Sequence, residues 1–211
     1  LVIIVGLALT IYLINKWYLT TVEKLLHVDL DLPSWKQYIE MNKEGKRAVL
    51  RLVAATSEVS LAYMTGDFET AIRKAEEILN RDGLQPQFRN VLQSYWIRSV
   101  VLSQPELSRE ELGDMIGELT ITDPTLDEKT KKMSVALYDL TIAHESNDYF
   151  ETLTNEYKFP LLEIIYYKAL NAAIKGDTNR ANELLRQLVG EDERLYVVRM
   201  GKDVLNTDNK K

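Results

Sequence analysis

Two six-residue stretches constrain this chain more than any other feature. Gly66-Asp67-Phe68-Glu69-Thr70-Ala71 and Gly176-Asp177-Thr178-Asn179-Arg180-Ala181 carry Gly, Asp and Ala at identical offsets. Each stands between two apolar series of helical period, in which residues at i, i+3, i+4 and i+7 share one face. Val49, Leu52, Val53, Thr56, Val59 and Tyr63 lead into the first, and Ala71, Ile72, Ala75, Ile78 and Leu79 continue from it. Leu162, Ile165, Tyr166, Ala169 and Ala172 lead into the second, and Ala181, Leu184, Leu185 and Leu188 continue from it. Glycine accepts the backbone of a tight turn, aspartate caps the helix that follows, and alanine lets two helices approach closely. Both stretches therefore predict helical hairpins, the first from about Glu44 to Leu79, with Gly83 and Pro86 punctuating its end.

The intervening sequence keeps the same period. A helix is predicted from about Gln87 to Ser103. Another is opened by the capping box Ser108-Arg109-Glu110-Glu111 and carries Leu112, Met115, Ile116 and Leu119. Asp123-Pro124-Thr125 starts a further helix, with Thr125 and Glu128 as its capping pair, and Gly113 and Gly117 mark a close helix contact. Asn147-Asp148-Tyr149-Phe150-Glu151-Thr152 is a degenerate copy of the turn unit. No stretch alternates apolar and polar residues as a half-buried strand would. The fold class is all-α: about four hairpins in succession, with no sheet.

The group Gly66, Asp67, Phe68 and Ala71, with Ala62 before it and Ile78 after it, resembles a tetratricopeptide repeat. The Gly176, Asp177, Ala181 unit is similar to it in part. The resemblance implies an irregular α-solenoid in which Gly66-Asp67 and Gly176-Asp177 turn between the two helices of a repeat and Ala71 and Ala181 sit at helix crossings. The chain departs from the pattern where Ala55 replaces the bulky residue early in the first helix. It departs again in its spacing, since 81 residues separate Gly66 from Asn147 and 29 separate Asn147 from Gly176, against about 34 per repeat.

Leu1 to Ile14 carries no charge and is followed by Asn15-Lys16-Trp17-Tyr18, the aromatic and basic residues that settle at a membrane interface. A span needs about 20 apolar residues, so 1–19 is read as an incomplete, single transmembrane anchor. A signal peptide ends in small residues, and this run does not. A juxtamembrane helix and tether follow over 20–43, where Pro33 breaks the helix and Ser34-Trp35-Lys36-Gln37 opens a short new one. The repeat domain is assigned to 44–200 and a polar tail to 201–211. The side of the membrane is left open, with the extracytoplasmic side preferred. An anchor followed by repeats is similar in architecture to the single-pass repeat proteins that bacteria attach to machines such as the protein translocon.

Chemistry is sparse. The chain has two histidines, His27 and His144, and no cysteine. His27 falls on the tether, and His144-Glu145 with Asp148 falls on the degenerate turn. There is no phosphate-cradling glycine loop. Net charge is -6 with scattered Lys and Arg, which gives no footprint for nucleic acid. The expectation is a non-enzyme without catalytic residues, metal or cofactor. Aromatics on the first helices of hairpins, Tyr63, Tyr95, Trp96, Tyr138, Tyr166 and Tyr167, are candidates for a protein- or peptide-binding groove, because Tyr and Trp dominate binding hot spots. Arg98 on the same helices, with Arg51 and Lys168, is suited to an acidic segment. The predicted function is a membrane-anchored scaffold or adaptor. The alternative is a chaperone-like accessory factor of a membrane export or assembly machine, binding through the same groove.

Overall fold

The computed structural model describes residues 28–208, so the assigned anchor at 1–19 and His27 lie outside the described residues. Among the described residues no helix is long and apolar enough to cross a membrane. The described chain is all-α, with no strand. Its helices are α1 (Leu32–Lys43), α2 (Ala48–Thr65), α3 (Phe68–Leu79), α4 (Pro86–Ser103), α5 (Arg109–Gly117), α6 (Pro124–Tyr138), α7 (Lys158–Ile174), α8 (Thr178–Arg186) and α9 (Tyr196–Asp208). A π-turn (Asp139–Ala143) extends α6, and a 3-10 turn (Asp148–Thr152) precedes α7.

Local chemistry accounts for most helix starts. Asp67 and Asp177 accept hydrogen bonds from Thr70 N (3.2 Å) and Arg180 N (3.1 Å). Ser108 and Glu111 close a reciprocal capping box, with Glu111 N donating to Ser108 Oγ at 3.2 Å and Ser108 N to Glu111 Oε2 at 2.8 Å. Two starts differ from the sequence reading. The break expected over Val28 to Pro33 falls at Leu30 (φ 52°) and Asp31, while Pro33 itself stands in the first turn of α1, where its missing N–H costs nothing, and Asp31 caps that turn by accepting from Ser34 N at 3.1 Å. Asp123, not Thr125, caps α6, accepting from Leu126 N at 3.0 Å, while Glu128 pairs with Lys132.

Consecutive helices pack in order, α1 on α2, α2 on α3, α3 on α4, α4 on α6, and α7 on α8 and α9. The core begins earlier and ends later than 44–200. Leu32, Trp35, Tyr38 and Ile39 of α1 are buried in it, and α9 runs on to Asp208 with Gly201 buried against Leu188. Val49 is 57% exposed and does not join the α2 core face, which is built from Ala54, Val59, Ala62 and Tyr63. Gly113 and Gly117 face open space and not a neighbouring helix. The degenerate copy at Asn147 lacks a full second helix. His144 takes the left-handed conformation there (φ 53°), and Asn147 caps only the 3-10 turn, whose Phe150 stacks on Tyr167 at 4.7 Å.

Sequence distance is bridged at one point above all. Arg199 of α9 donates to Thr65 O at 3.0 Å, and the Tyr196 ring packs edge-on to Phe68 at 5.2 Å. The last described helix therefore sits on the first Gly-Asp turn.

Candidate functional site

The site is built from faces of α4, α6 and α7. Glu163 lies in the middle of α7, 3% exposed, in the otherwise apolar run Phe159 to Tyr167. An isolated carboxylate at that depth requires compensation. It receives the Tyr63 hydroxyl, the Tyr196 hydroxyl at 2.9 Å and, on its other oxygen, the Arg98 guanidinium at 3.6 Å. The Tyr167 hydroxyl lies 3.0 Å from that of Tyr196. Arg98 also stacks over the rings of Tyr63 (4.8 Å) and Tyr95 (4.9 Å), and Ser60 Oγ donates to the Tyr95 hydroxyl at 2.9 Å. One cation, one anion and four phenols thus share a buried cluster.

Its electrostatics follow from burial. The Tyr63, Tyr167 and Tyr196 phenols are pushed well above their ordinary range, first by burial and then chiefly by the charge of Glu163 and by one another. All three stay protonated and can keep donating. Burial opposes the charge on Arg98, but the surrounding phenols and Glu163 outweigh it and hold the guanidinium firmly protonated.

A cleft of about 170 Å³ opens on this cluster. Tyr95 and Arg98 come from α4. Leu126, Lys129, Thr130 and Met133 present one face of α6 at the i, i+3, i+4, i+7 spacing, and Phe159, Pro160 and Glu163 come from α7. Within the cleft Arg98 Nε donates to Ser94 O at 2.9 Å, and Nη1 faces Glu163 and Met133 Sδ. Arg98 Nη2 makes no hydrogen bond among the described residues and is not sealed from water. Lys129 is exposed at the rim and forms no ion pair among the described residues. The arrangement offers two cationic donors beside apolar walls, with its single carboxylate already engaged.

The sequence-selected residues divide accordingly. Tyr63, Tyr95, Arg98 and Tyr167 converge on the cluster. Trp96 does not; half-buried, it donates to Glu76 Oε1 at 3.0 Å. Tyr138 is buried under Arg109, 5.0 Å above its ring, and Tyr166 is buried elsewhere with its phenol pushed up to about 12 by burial and Asp203. Tyr63, Tyr138, Tyr166 and Tyr167 are all at most 8% exposed, so their area is spent inside the fold and not along an open groove. Arg51 donates to Gly45 O and Lys46 O, away from the Arg98 cleft, and Lys168 donates to the carbonyl of Leu153, a residue of the cleft lining. Glu163, Tyr196, Met133 and Lys129 were not selected from sequence. Only Glu163 carried a signal there, as a lone acid inside an apolar helix. His144 and Glu145 join no metal cluster among the described residues.

With this geometry in hand, comparison of the chain with protein-family models, curated proteins and solved structures yields no match.

Proposed function

We propose that the chain is a membrane-tethered, tetratricopeptide-like helical scaffold that binds a protein or peptide segment, without catalysis and without a cofactor. The observation that carries the reading is the Arg98 cleft. Arg98, paired with Glu163 and stacked on two aromatic rings, lines a small cavity with apolar walls, with a lysine that forms no ion pair among the described residues at its edge. Such a site recognises one polar or acidic side chain, or a chain end, flanked by apolar atoms. A general base at the buried cluster would need a free carboxylate, and Glu163 is occupied by Arg98 and two phenols. The two Gly-Asp hairpins and the succession of packed helices support the solenoid reading, here closed by α9. The apolar run 1–14 supports the tether.

The chaperone-like alternative requires a broad apolar surface. Of the exposed large apolar side chains, Val91, Leu161 and Met200 lie on three different helices and Val189 in the turn after α8, while Met41 and Val49 lie at the α1–α2 junction; none of this makes a broad apolar surface, which favours the adaptor. The test is a photoreactive residue at Lys129 in living cells, with Asn179 as an exposed control. One or two discrete cross-linked partners at 129 are expected. A continuum of products favours the chaperone, and no product above the level at 179 removes the cleft as a binding site.

A further inference from the structure

The corner between α1 and α2 differs in character from the rest of the molecule. From Lys36 to Arg51 the chain carries five basic and two acidic residues, a local charge of +3 in a chain of -6. Lys36, Lys46, Arg47 and Arg51 form no ion pair among the described residues, and Lys36, Lys46 and Arg47 are exposed. The same corner carries two of the most exposed large apolar side chains, Met41 at 65% and Val49 at 57%. Beside them a cleft of about 350 Å³ is lined by Lys43, Arg51, Lys74 and Arg81 against only Glu58 and Glu77. Glu58 is clasped by Lys43 (3.1 Å) and Lys74 (2.7 Å), and Glu77 by Arg81 (3.0 Å). Among the described residues Arg51 there bonds only backbone carbonyls. α2 itself starts at the corner with no side-chain cap and no acid in its first turn, which adds the positive end of its dipole to the field.

Cations that form no ion pair among the described residues, set beside projecting apolar side chains, each have a defined use at one surface. Lys and Arg gain from the negative potential of anionic headgroups, and apolar tips gain from the boundary of the acyl chains. The reach of the tether, and not the composition of the patch, selects a lipid surface over an acidic protein. We propose that the α1–α2 corner docks on an anionic lipid surface, with Lys46, Arg47 and Arg51 at the headgroups, Val49 and Met41 dipping below them, and the Lys43–Arg81 cleft receiving a headgroup phosphate. The proposal rests on the tether reading, since 28 residues separate Asn15 from Lys43, and so short a connection keeps the corner within reach of a bilayer. It fixes which face of the domain turns to the membrane and leaves the Arg98 cleft for a partner.

The chain has no cysteine, so Val49→Cys carrying an environment-sensitive fluorophore reports on this corner alone. The full chain is mixed with vesicles of phosphatidylcholine, or of phosphatidylcholine with phosphatidylglycerol, each with and without brominated acyl chains, and Asn179→Cys serves as a control. The expected result is a blue shift and quenching at 49 on anionic vesicles, several-fold above neutral ones, lost at high salt and in Lys46→Glu/Arg47→Glu, with no change at 179. Circular dichroism of that double variant, altered only at exposed positions, reports whether the fold is retained. Equal signals on neutral and anionic vesicles, or a label at 49 that stays in water on both, overturn the proposal. So does a label that ignores vesicles and responds to polyglutamate, which would make the corner a protein site. Failure of the chain to float with neutral vesicles sinks the tether reading separately, and charge-dependent flotation with anionic vesicles then still supports the corner.

Discussion

The Gly66 and Gly176 turns are nearly the same object in two surroundings. In both, glycine has φ 81°. The Gly66 N–H donates to Tyr63 O (3.0 Å) and the Asp67 N–H to Ala62 O (2.9 Å); at the second turn Gly176 donates to Ala173 O (3.0 Å) and Asp177 to Ala172 O (2.9 Å). Yet a Cβ placed on Gly66 would lie 2.9 Å from Tyr196 Cβ and 3.1 Å from Arg199 Nη2, whereas one on Gly176 would meet nothing within 4 Å among the described residues. The backbone of each turn is dictated by its own six residues. What differs is the burden laid on it, because α9 returns to cover one turn and leaves the other in water. The covered turn also leads, three residues back, to Tyr63 and the Glu163 cluster. The same Gly-Asp turn thus serves as a connection in one place and as the seat of a long-range contact in the other.

The largest effect should come from cutting the fastening beneath the covered turn. Glu163→Ala strands Arg98 and leaves Tyr63 and Tyr196 without their acceptor, and breaking a buried pair from one side costs about 3–5 kcal/mol. Urea unfolding of the full chain in mild detergent, followed by circular dichroism, measures it. A loss below about 1 kcal/mol would mean that the cluster behaves as a surface pair and that α9 is held by packing alone.

Next in size is the direct contrast between the turns. Gly176→Ala should lose about 1–2 kcal/mol, the cost of a left-handed backbone for an L-residue. Gly66→Ala bears the same cost plus overpacking against Tyr196, about 1–3 kcal/mol more. Equal losses in the same unfolding experiment would show that α9 lifts away from the turn at little cost, and the distinction between covered and open turns would fall.

What the sequence revealed of this molecule follows the same division. The two Gly-Asp turns, the Ser108 capping box and the all-α class were legible because each depends on residues within a turn or two of one another. Pro33 misled because it was weighed without Asp31, whose side chain is the cap that makes a first-turn proline acceptable. Val49 misled because helical period says which residues share a face, not where along the helix the neighbouring helix ends. The shortened unit at Asn147 was visible as degenerate, but not as a 3-10 turn sealed by Phe150 on Tyr167. Of the cluster, Tyr63, Tyr95, Arg98 and Tyr167 could be named as aromatic and basic residues on first helices. Their meeting with Glu163 and Tyr196 could not, since it joins positions 100 and 133 residues apart, and no local pattern encodes that pairing.

The smallest effect isolates the contact that crosses this distance. Arg199 is exposed, and its guanidinium donates to Thr65 O as well as to Glu193 O and Arg194 O of its own segment. Arg199→Ala removes the hydrogen bond to the turn while leaving the Tyr196 ring in place, so a loss of about 0.5–1.5 kcal/mol is expected. Its use lies in the double variant with Gly66→Ala. If Arg199 and Tyr196 both press on the added methyl, removing the guanidinium lets α9 shift, and the combined loss falls short of the sum by about 0.5 kcal/mol or more, as for residues that share a contact. Strict additivity would assign the whole obstruction to Tyr196 Cβ, 2.9 Å away, and would make Tyr196, not the Arg199 guanidinium, the part of α9 that distinguishes the first turn from the second.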